Sequence, residues 1–300
     1  MRLLLLGGNG QVGTELRRSL APLGEVVVGT RDGRLGDGMA CEVADLDQPG
    51  TLAGLVARMA PDVVVNAAAH TQVDKAETEP EAAFRANAEA PGVLAEACRK
   101  RDALLVHYST DYVFDGRGTR PYREDDPVAP LGVYGASKRA GEQAIRASGA
   151  RHLVFRTAWV YAAHGRNFLR TMLRLAGERD ELRVVADQRG TPTPAGLIAD
   201  VTARVLSAAP ARSGLWHLTP TGETSWHGFA TAIVERAHAL GMIDRKPVVT
   251  AIATSDYPTP AARPGYSVLD CARLQQDFGI ELPDWHQGLE STLSGSVSAT

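Results

Sequence analysis

The sequence predicts an α/β fold in which helices cover both faces of a doubly wound parallel sheet. Two observations support this prediction. Short apolar runs alternate with helix-length segments through the first half of the chain, and a glycine-rich turn follows the first run. Such alternation is typical of βαβ units, whose strands are buried on both faces. At 300 residues, 44% of them hydrophobic, the chain is long enough to bury the core of such a sheet.

The predicted elements of the sheet follow one another along the chain. We expect strands at residues 3–6, 25–29, 63–66, 104–108 and 152–156. We expect helices at residues 11–20, 51–59, 81–100 and 134–146. A domain covering residues 1–157 therefore accounts for the regular half of the chain.

The rhythm of the pattern loosens after residue 157, where prolines interrupt short elements. Residues 158–300 are therefore expected to form mostly a smaller C-terminal lobe that binds substrate. A strand at 182–185 and a helix at 196–206 are expected to return to the sheet within a segment near 182–208. The small, polar residues 291–300 are expected to fray.

Composition excludes several classes of function. The 32 Lys plus Arg against 35 Asp plus Glu leave a charge of -3, which does not suit a nucleic-acid partner. Cys41, Cys98 and Cys271 are odd in number and widely spaced, as is typical of reduced thiols. We find no signal-peptide pattern and no apolar run of membrane-spanning length. The sequence therefore predicts a cytoplasmic protein without a membrane partner.

A dinucleotide-binding turn is predicted at residues 7–13, Gly7-Gly8-Asn9-Gly10-Gln11-Val12-Gly13. Gly7 permits a tight turn, Gly10 lets the backbone approach a diphosphate, and Gly13 lets the helix pack closely on the strand. The helix N-terminus then offers amides to the phosphates. This motif makes residues 1–157 a Rossmann-type NAD(P)-binding domain, with Asn9, Gln11 and Val12 also at the cofactor.

The end of the second predicted strand bears on cofactor choice. Thr30-Arg31-Asp32 places an arginine where a 2′-phosphate of NADPH would lie, whereas Asp32 keeps NADH possible. We expect NADPH. Six further cofactor contacts are expected: Asp45 and Leu46 at the adenine, and Ala67, Ala68, Ala69 and Thr71 after the third strand.

A catalytic set is predicted from two segments. Tyr134 and Lys138 are four residues apart in a helix and so share one face. A nearby ammonium favours the phenolate, so we expect Lys138 to lower the pKa of Tyr134 and to hold the nicotinamide ribose. Thr110 follows the fourth strand at the ligand-binding edge of the sheet, where its hydroxyl would polarise a substrate carbonyl.

Several long motifs resemble those of the extended short-chain dehydrogenases and reductases, and among them the family of dTDP-4-dehydrorhamnose reductases. They are residues 7–13, 63–71, 106–116, 155–161 and 257–264, with Tyr134 and Lys138. The resemblance implies NAD(P)H-dependent reduction of the C4 ketone of dTDP-4-dehydro-L-rhamnose to dTDP-L-rhamnose. It implies that Tyr134 protonates the developing alkoxide while Thr110 steadies it.

Substrate contacts are expected at Val73, Thr110, Asp111, Tyr112, Trp159 and Arg263. The resemblance implies that Trp159 packs against the sugar and that Arg263 pairs with the diphosphate. Two plainer interpretations stay open: Trp159 as a core aromatic and Arg263 as a surface turn. His70 and Asp74 follow the third strand and are further candidates for the pocket wall.

No metal site is expected from the sequence. His107, His152, His164, His217, His227 and His286 show no ligand spacing, and we interpret them as structural. Some relatives form dimers bridged by Mg²⁺, and Glu15 matches one carboxylate position. Residues 195–197 supply no second carboxylate, which argues against Mg²⁺. The chain is expected to be a monomer or a homodimer.

Two alternative functions remain open at this point. The first is another nucleotide-sugar enzyme of this fold. A 4,6-dehydratase would carry Asp-Glu after the catalytic threonine, where this chain has Asp111-Tyr112, whereas a C4 epimerase fits the same motifs. The second is a non-catalytic NADP-binding subunit similar to the regulatory partner of methionine adenosyltransferase; the intact Thr110, Tyr134 and Lys138 argue against it.

Overall fold

The sequence folds into a central sheet and a smaller C-terminal lobe in the computed structural model, which describes residues 1–208 and 212–297. The helices of the described residues are α1 (Gln11–Leu20), α2 (Leu52–Met59), α3 (Val73–Thr78), α4 (Pro80–Phe84), α5 (Ala90–Lys100), α6 (Val133–Ser148), α7 (Phe168–Glu178), α8 (Ala195–Ser207), α9 (Trp226–Ala239), α10 (Ala272–Phe278) and α11 (Trp285–Val297). The strands are β1 (Arg2–Leu6), β2 (Glu25–Thr30), β3 (Glu42–Val43), β4 (Val63–Asn66), β5 (Leu104–Thr110), β6 (His152–Thr157), β7 (Val160–Tyr161), β8 (Glu181–Val185), β9 (Arg189–Gly190), β10 (Thr193–Pro194), β11 (Gly214–His217), β12 (Thr224–Ser225) and β13 (Val248–Ile252).

The main sheet that the described residues form has seven parallel strands in the order β3-β2-β1-β4-β5-β6-β11. Strand order reverses between β1 and β4, where doubly wound sheets bind ligands at the carboxyl ends of their strands. The predicted Rossmann-type sheet is therefore confirmed.

Strand β1 shows why this sheet is buried on both faces. Leu3 and Leu5 pack into one core, with α1 and α8, whereas Leu4 and Leu6 pack into the other, with α2 and α5. All four leucines have no exposed surface. Burying a leucine fully contributes roughly 1.5–3 kcal/mol, so an unbroken apolar run is stable only between two helical layers.

The expectation for residues 182–185 is wrong in one respect. They form β8, but β8 pairs with β13 in a separate two-stranded sheet of the C-terminal lobe. Its residues alternate between exposed and buried, as in a strand with one solvated face. Helix α8 does return, packing on α1, and the strand that joins the main sheet is β11.

Two further expectations need correction. The helix predicted at 81–100 is divided into α4, a π-helical turn at Arg85–Glu89, and α5. Residues 291–297, expected to fray, belong to α11, because Leu289 and Leu293 pack into the core of the lobe. Residues 298–300 lie outside the described residues. The division at residue 157 stays a prediction.

Candidate functional site

The glycine turn lies where β1, β4 and α1 meet. Gly7 has a φ of 84°, and a Cβ there would lie 2.7 Å from the backbone nitrogen of Ala68. A Cβ at Gly13 would lie 2.0 Å from the carbonyl oxygen of Gly7, so both positions exclude larger residues. Gly10 is exposed, and a Cβ placed there would meet only the carbonyl oxygen of Gly7, at 3.3 Å. Open space therefore adjoins the start of α1.

The side chains beside this turn hold its flanking loops. Asn9 donates to the carbonyl of Arg34 at 2.9 Å and accepts from the amide of Gly36 at 3.0 Å. Gln11 accepts a hydrogen bond from Asn167 of the C-terminal lobe at 2.7 Å. Val12, predicted at the cofactor, is half-buried and packs against the core.

The loop after β2 exposes Arg31 and Arg34, and Arg31 is the nearer to the strand. Arg31 is 75% exposed and lies 3.6 Å from both Asp45 and Asp47. Asp32 accepts from the Thr30 hydroxyl and from the Arg34 amide, and these hydrogen bonds lower the pKa of Asp32. Arg31 and Asp32 are thus both exposed; Asp32 accepts hydrogen bonds within its own turn, whereas Arg31 lies beside two carboxylates.

The remaining predicted cofactor residues divide into two kinds. Leu46 packs into the core, with 6% of its surface exposed, while Asp45 accepts from the Asp47 amide at 3.0 Å. The other four follow β4, where Ala67, Ala68 and Ala69 are half-buried and Thr71 is exposed. Small side chains line this edge of the sheet, so a ligand can approach the backbone.

Thr110 and Tyr134 come together where β5 ends and α6 begins. The Thr110 hydroxyl donates to Asp111 at 3.0 Å and accepts from the amide of Tyr112 at 3.2 Å. The rings of Tyr112 and Tyr134 meet edge to face, with centroids 5.7 Å apart. Burial raises the pKa of Asp111 to about 6, because a charged carboxylate loses its hydration.

The pKa of Tyr134 differs from the expectation. Burial raises it to about 12; a hydrogen bond with Thr110 lowers it in part, and the Asp111 charge raises it further. The expectation that Lys138 lowers this pKa is wrong for this structure. The Lys138 ammonium donates instead to the Tyr108 carbonyl at 2.6 Å, and burial outweighs the favourable groups around Tyr134.

A buried ion pair holds α6 against β5 and β6. Glu142 accepts two hydrogen bonds from Arg156, each 2.8 Å long, one from Ser109 at 2.6 Å and one from Arg139 at 2.8 Å. Glu142 and Arg156 are 4% and 1% exposed. Ser109 precedes Thr110, and Glu142 lies one turn beyond Lys138, so this network fixes the catalytic candidates relative to one another.

A small cavity adjoins Tyr134. Its walls come from α3, the end of β5, the start of α6 and the loop of residues 257–264, and include Val73, Tyr112, Tyr134, Ala261 and Pro264. Glu77, Leu131 and Gly132 also line it, and sequence reasoning missed all three. Glu77 accepts from the Val133 amide at 2.8 Å, a link across 56 residues that no local pattern signals.

Arg263 lies beside this cavity, but Trp159 does not line it. Arg263 is held by Asp74 at 2.9 Å, and Asp74 also accepts from the Ala261 amide at 3.2 Å. The Trp159 ring stacks on Trp226 with centroids 3.6 Å apart. The plainer interpretation of Trp159, a packed aromatic, therefore describes at least one face of its ring.

Glu15 has protein partners at the position considered for Mg²⁺. It accepts from His164 at 3.0 Å and pairs with Arg18 at 3.2 Å. Gly196 lies opposite, and a Cβ there would be 3.9 Å from the Glu15 carboxylate. The described ranges 1–208 and 212–297 contain no group of three or more His, Cys, Asp or Glu placed to hold a metal ion. Over the same ranges, no helix is long and apolar enough to cross a membrane.

The sheet order, the glycine turn and the grouping of Thr110, Tyr134 and Lys138 define the class of extended short-chain dehydrogenases and reductases. Residues 1–297 match the family described as RmlD substrate binding domain. The chain belongs to this family. It is 52% identical to a dTDP-4-dehydrorhamnose reductase of Burkholderia thailandensis over 95% of each chain. It is 46% identical to that of Escherichia coli K12, covering 100% of this chain and 99% of the relative.

Solved structures agree with this family. A dTDP-4-dehydrorhamnose reductase of Bacillus anthracis in complex with NADP has a TM-score of 0.88 and 32% identity, covering 98% of this chain and 99% of that one. The corresponding protein of Clostridium acetobutylicum has a TM-score of 0.88 and 35% identity, with the same coverage.

Proposed function

We propose that the chain is an NADPH-dependent oxidoreductase that reduces the C4 ketone of dTDP-4-dehydro-L-rhamnose to dTDP-L-rhamnose. The observation that carries the proposal is the convergence of Thr110 and Tyr134 beside a cavity at the ligand-binding edge of the sheet. The identity of 46–52% with proteins named dTDP-4-dehydrorhamnose reductase supports this choice of substrate. We place the protein in the cytoplasm, in keeping with its three free thiols.

The residues of the turn fit a dinucleotide. Gly7 and Gly13 leave no room for a Cβ, and the described residues provide no side-chain cap at the start of α1, so its amides can meet a diphosphate. Arg31 would pair with the 2′-phosphate. When bound, NADPH supplies the hydride that reduces the ketone.

The side chains of the site would handle the oxygen of the ketone. Tyr134, whose phenol is protonated at neutral pH as that of an ordinary tyrosine is, donates a proton to the oxygen as it becomes an alkoxide. The Thr110 hydroxyl donates to Asp111 in this structure, and its proton would turn to that oxygen to give it a second hydrogen bond. Lys138 lies one helical turn from Tyr134 and would hold the nicotinamide ribose.

The test measures the loss of reduced-nicotinamide absorbance when the protein meets dTDP-4-dehydro-L-rhamnose formed in situ, with NADPH and NADH assayed separately. The wild type should oxidise NADPH, and Tyr134→Phe should lose about 100-fold or more in kcat, because general acid catalysis contributes roughly that factor. The dissociation constant for NADPH should change little in the variant.

Two results would contradict this proposal. The first is an absence of oxidation in folded wild type that binds NADPH, which would favour the regulatory-subunit alternative. The second is cofactor that stays bound through purification and is not consumed, as an epimerase requires. Near-normal turnover of Tyr134→Phe would remove Tyr134 from the mechanism but leave the reaction standing.

A further inference from the structure

Three buried side chains form a polar chain that ends at Lys138. Asn66, His107 and Lys138 are only 1%, 1% and 2% exposed. Asn66 and His107 are register partners on β4 and β5. The amide nitrogen of Asn66 lies 3.2 Å from Nδ1 of His107, and Nε2 of His107 lies 3.5 Å from Nζ of Lys138. The mechanism above assigns no role to Asn66 or His107.

The orientation of Asn66 determines the tautomer of His107. The Asn66 Oδ1 atom accepts from the backbone amide of Ala68 at 3.2 Å, so its amide nitrogen is the atom that faces His107. An amide nitrogen can only donate, and Nδ1 must therefore accept. The single proton of a neutral ring then resides on Nε2, facing Lys138.

The protonation state of Lys138 decides whether the Nε2–H group of His107 has a hydrogen-bond acceptor. An ammonium cannot accept a hydrogen bond, so it leaves the Nε2 proton of His107 without a partner. A neutral amine accepts a hydrogen bond from the Nε2–H group and still donates to the carbonyl of Tyr108, 2.6 Å away. An unpaired buried donor is costly, so the arrangement favours the amine.

The electrostatics of the site act in the same direction. Burial lowers the pKa of Lys138 to about 8, and the Glu142 carboxylate opposes this shift. Burial and the Lys138 charge hold the pKa of His107 well below its usual value, so the ring stays neutral. Of the three side chains, Lys138 is therefore the one that gains and loses a proton.

We propose that Asn66 and His107 are positioning residues: Asn66 fixes the tautomer of His107, and the Nε2 proton of His107 favours the amine form of Lys138. The inference rests on the proposed function in one respect. Lys138 is one of the catalytic candidates of that function, and the protonation state of its amine is what Asn66 and His107 would set.

The test follows the titration of Lys138 by NMR, without requiring turnover. The chain has four lysines, Lys75, Lys100, Lys138 and Lys246, so labelling the lysine ε-carbons with ¹³C gives four signals. Lys138 is the buried one, and the three exposed lysines serve as internal references. In the wild type, the Lys138 midpoint should lie below the other three.

Two variants reverse the polarity of the group that faces Lys138. In Asn66→Asp, the carboxylate accepts a hydrogen bond from an Nδ1–H of His107, so the lone pair of Nε2 faces the ammonium of Lys138. In His107→Gln, the side-chain carbonyl of the glutamine faces that ammonium. Each should raise the Lys138 midpoint by one pH unit or more, a tenfold change in the protonation ratio. Thr202→Val is the control, because its hydroxyl bonds the Tyr108 hydroxyl at 2.8 Å and the Ile198 carbonyl at 2.7 Å, and neither His107 nor Lys138 is its partner.

Unchanged midpoints in folded variants would overturn the inference. If Asn66→Asp does not fold, His107→Gln and the ring ¹⁵N spectrum of the wild type decide it, and a proton found on Nδ1 would contradict it. The alkaline limb of kcat should move to higher pH in both variants, because the proposed function uses the ammonium of Lys138 to hold the ribose. Shifted midpoints in a protein without turnover would sustain the inference on Lys138 and refute the proposed function, so the two failures are distinguishable.

Discussion

At the scale of single residues, Arg31 bears most directly on cofactor choice. Its guanidinium is exposed at the end of β2, while the hydrogen bonds of Thr30 and Arg34 engage the Asp32 carboxylate. A 2′-phosphate at this position would meet the Arg31 cation, whereas the Asp32 carboxylate already accepts two hydrogen bonds within its own turn. The loop therefore favours NADPH.

Replacing Arg31 tests this preference. Arg31→Ala should raise the KM for NADPH about 10- to 100-fold, since a hydrogen bond to a charged group contributes roughly 1.5–3 kcal/mol. The KM for NADH should stay near the wild-type value. Arg58→Ala, which removes another exposed arginine paired with Glu42, is the matched control. An equal loss with both cofactors would show that Arg31 supports the loop instead of the phosphate.

The sequence predicted residues whose requirements are local and missed those whose partners are distant. Gly7 and Gly13 were recognisable because the steric demand arises within the turn itself. The partner of Lys138 is a carbonyl on β5, 30 residues away. The stacking partner of Trp159 is Trp226, in another element of the lobe. No spacing rule gives such contacts.

At the scale of elements, α6 carries two of the three catalytic candidates and is anchored by the Glu142–Arg156 pair. The pair connects α6 to β6, and the Ser109 hydroxyl extends it to β5. Arginine and serine hydrogen bonds hold the pKa of Glu142 below its usual value despite burial. The carboxylate therefore stays charged and fully bonded.

Removing that charge should affect both folding and turnover. Glu142→Gln leaves the Arg156 cation buried without its counter-ion, which costs roughly 3–5 kcal/mol in the free energy of unfolding. Urea denaturation measures this loss, and kcat should fall with it because α6 loses its anchor. Glu235→Gln, in the exposed pair with Lys246, should cost far less. Equal losses in the two variants would contradict a structural role for the buried pair.

The elements also show how far a pattern identifies sheet membership. Continuous apolar runs located the five inner strands β1, β2, β4, β5 and β6, because only strands covered on both faces have that composition. The pattern assigned β8 to this sheet, which is wrong, and it did not predict β11. Pairing with β13 or with β6 depends on the packing of distant segments.

At the scale of the whole molecule, the loop of residues 257–264 connects the C-terminal lobe to α3. Asp74 binds both the Arg263 side chain and the Ala261 amide, beside the cavity at Tyr134. Arg263 is thereby held near the site with a guanidinium whose planar fork suits a diphosphate. We expect substrate phosphate to compete with Asp74 for this group.

Arg263→Gln should therefore raise the KM for the nucleotide sugar about tenfold or more, while the KM for NADPH changes little. Arg174→Gln provides the comparison, since that arginine pairs with Glu178 on the surface of α7. Initial rates at varied substrate and cofactor separate the two constants. A change confined to NADPH would place Arg263 outside the substrate site.

The most direct test of hydride transfer to C4 uses NADPH deuterated at the transferred position of the nicotinamide. The protein is incubated with dTDP-4-dehydro-L-rhamnose, and the product is examined by NMR and mass spectrometry. The proposed function predicts dTDP-L-rhamnose carrying one deuterium, located at C4 of the sugar. Product without deuterium, or deuterium at another carbon, would contradict it.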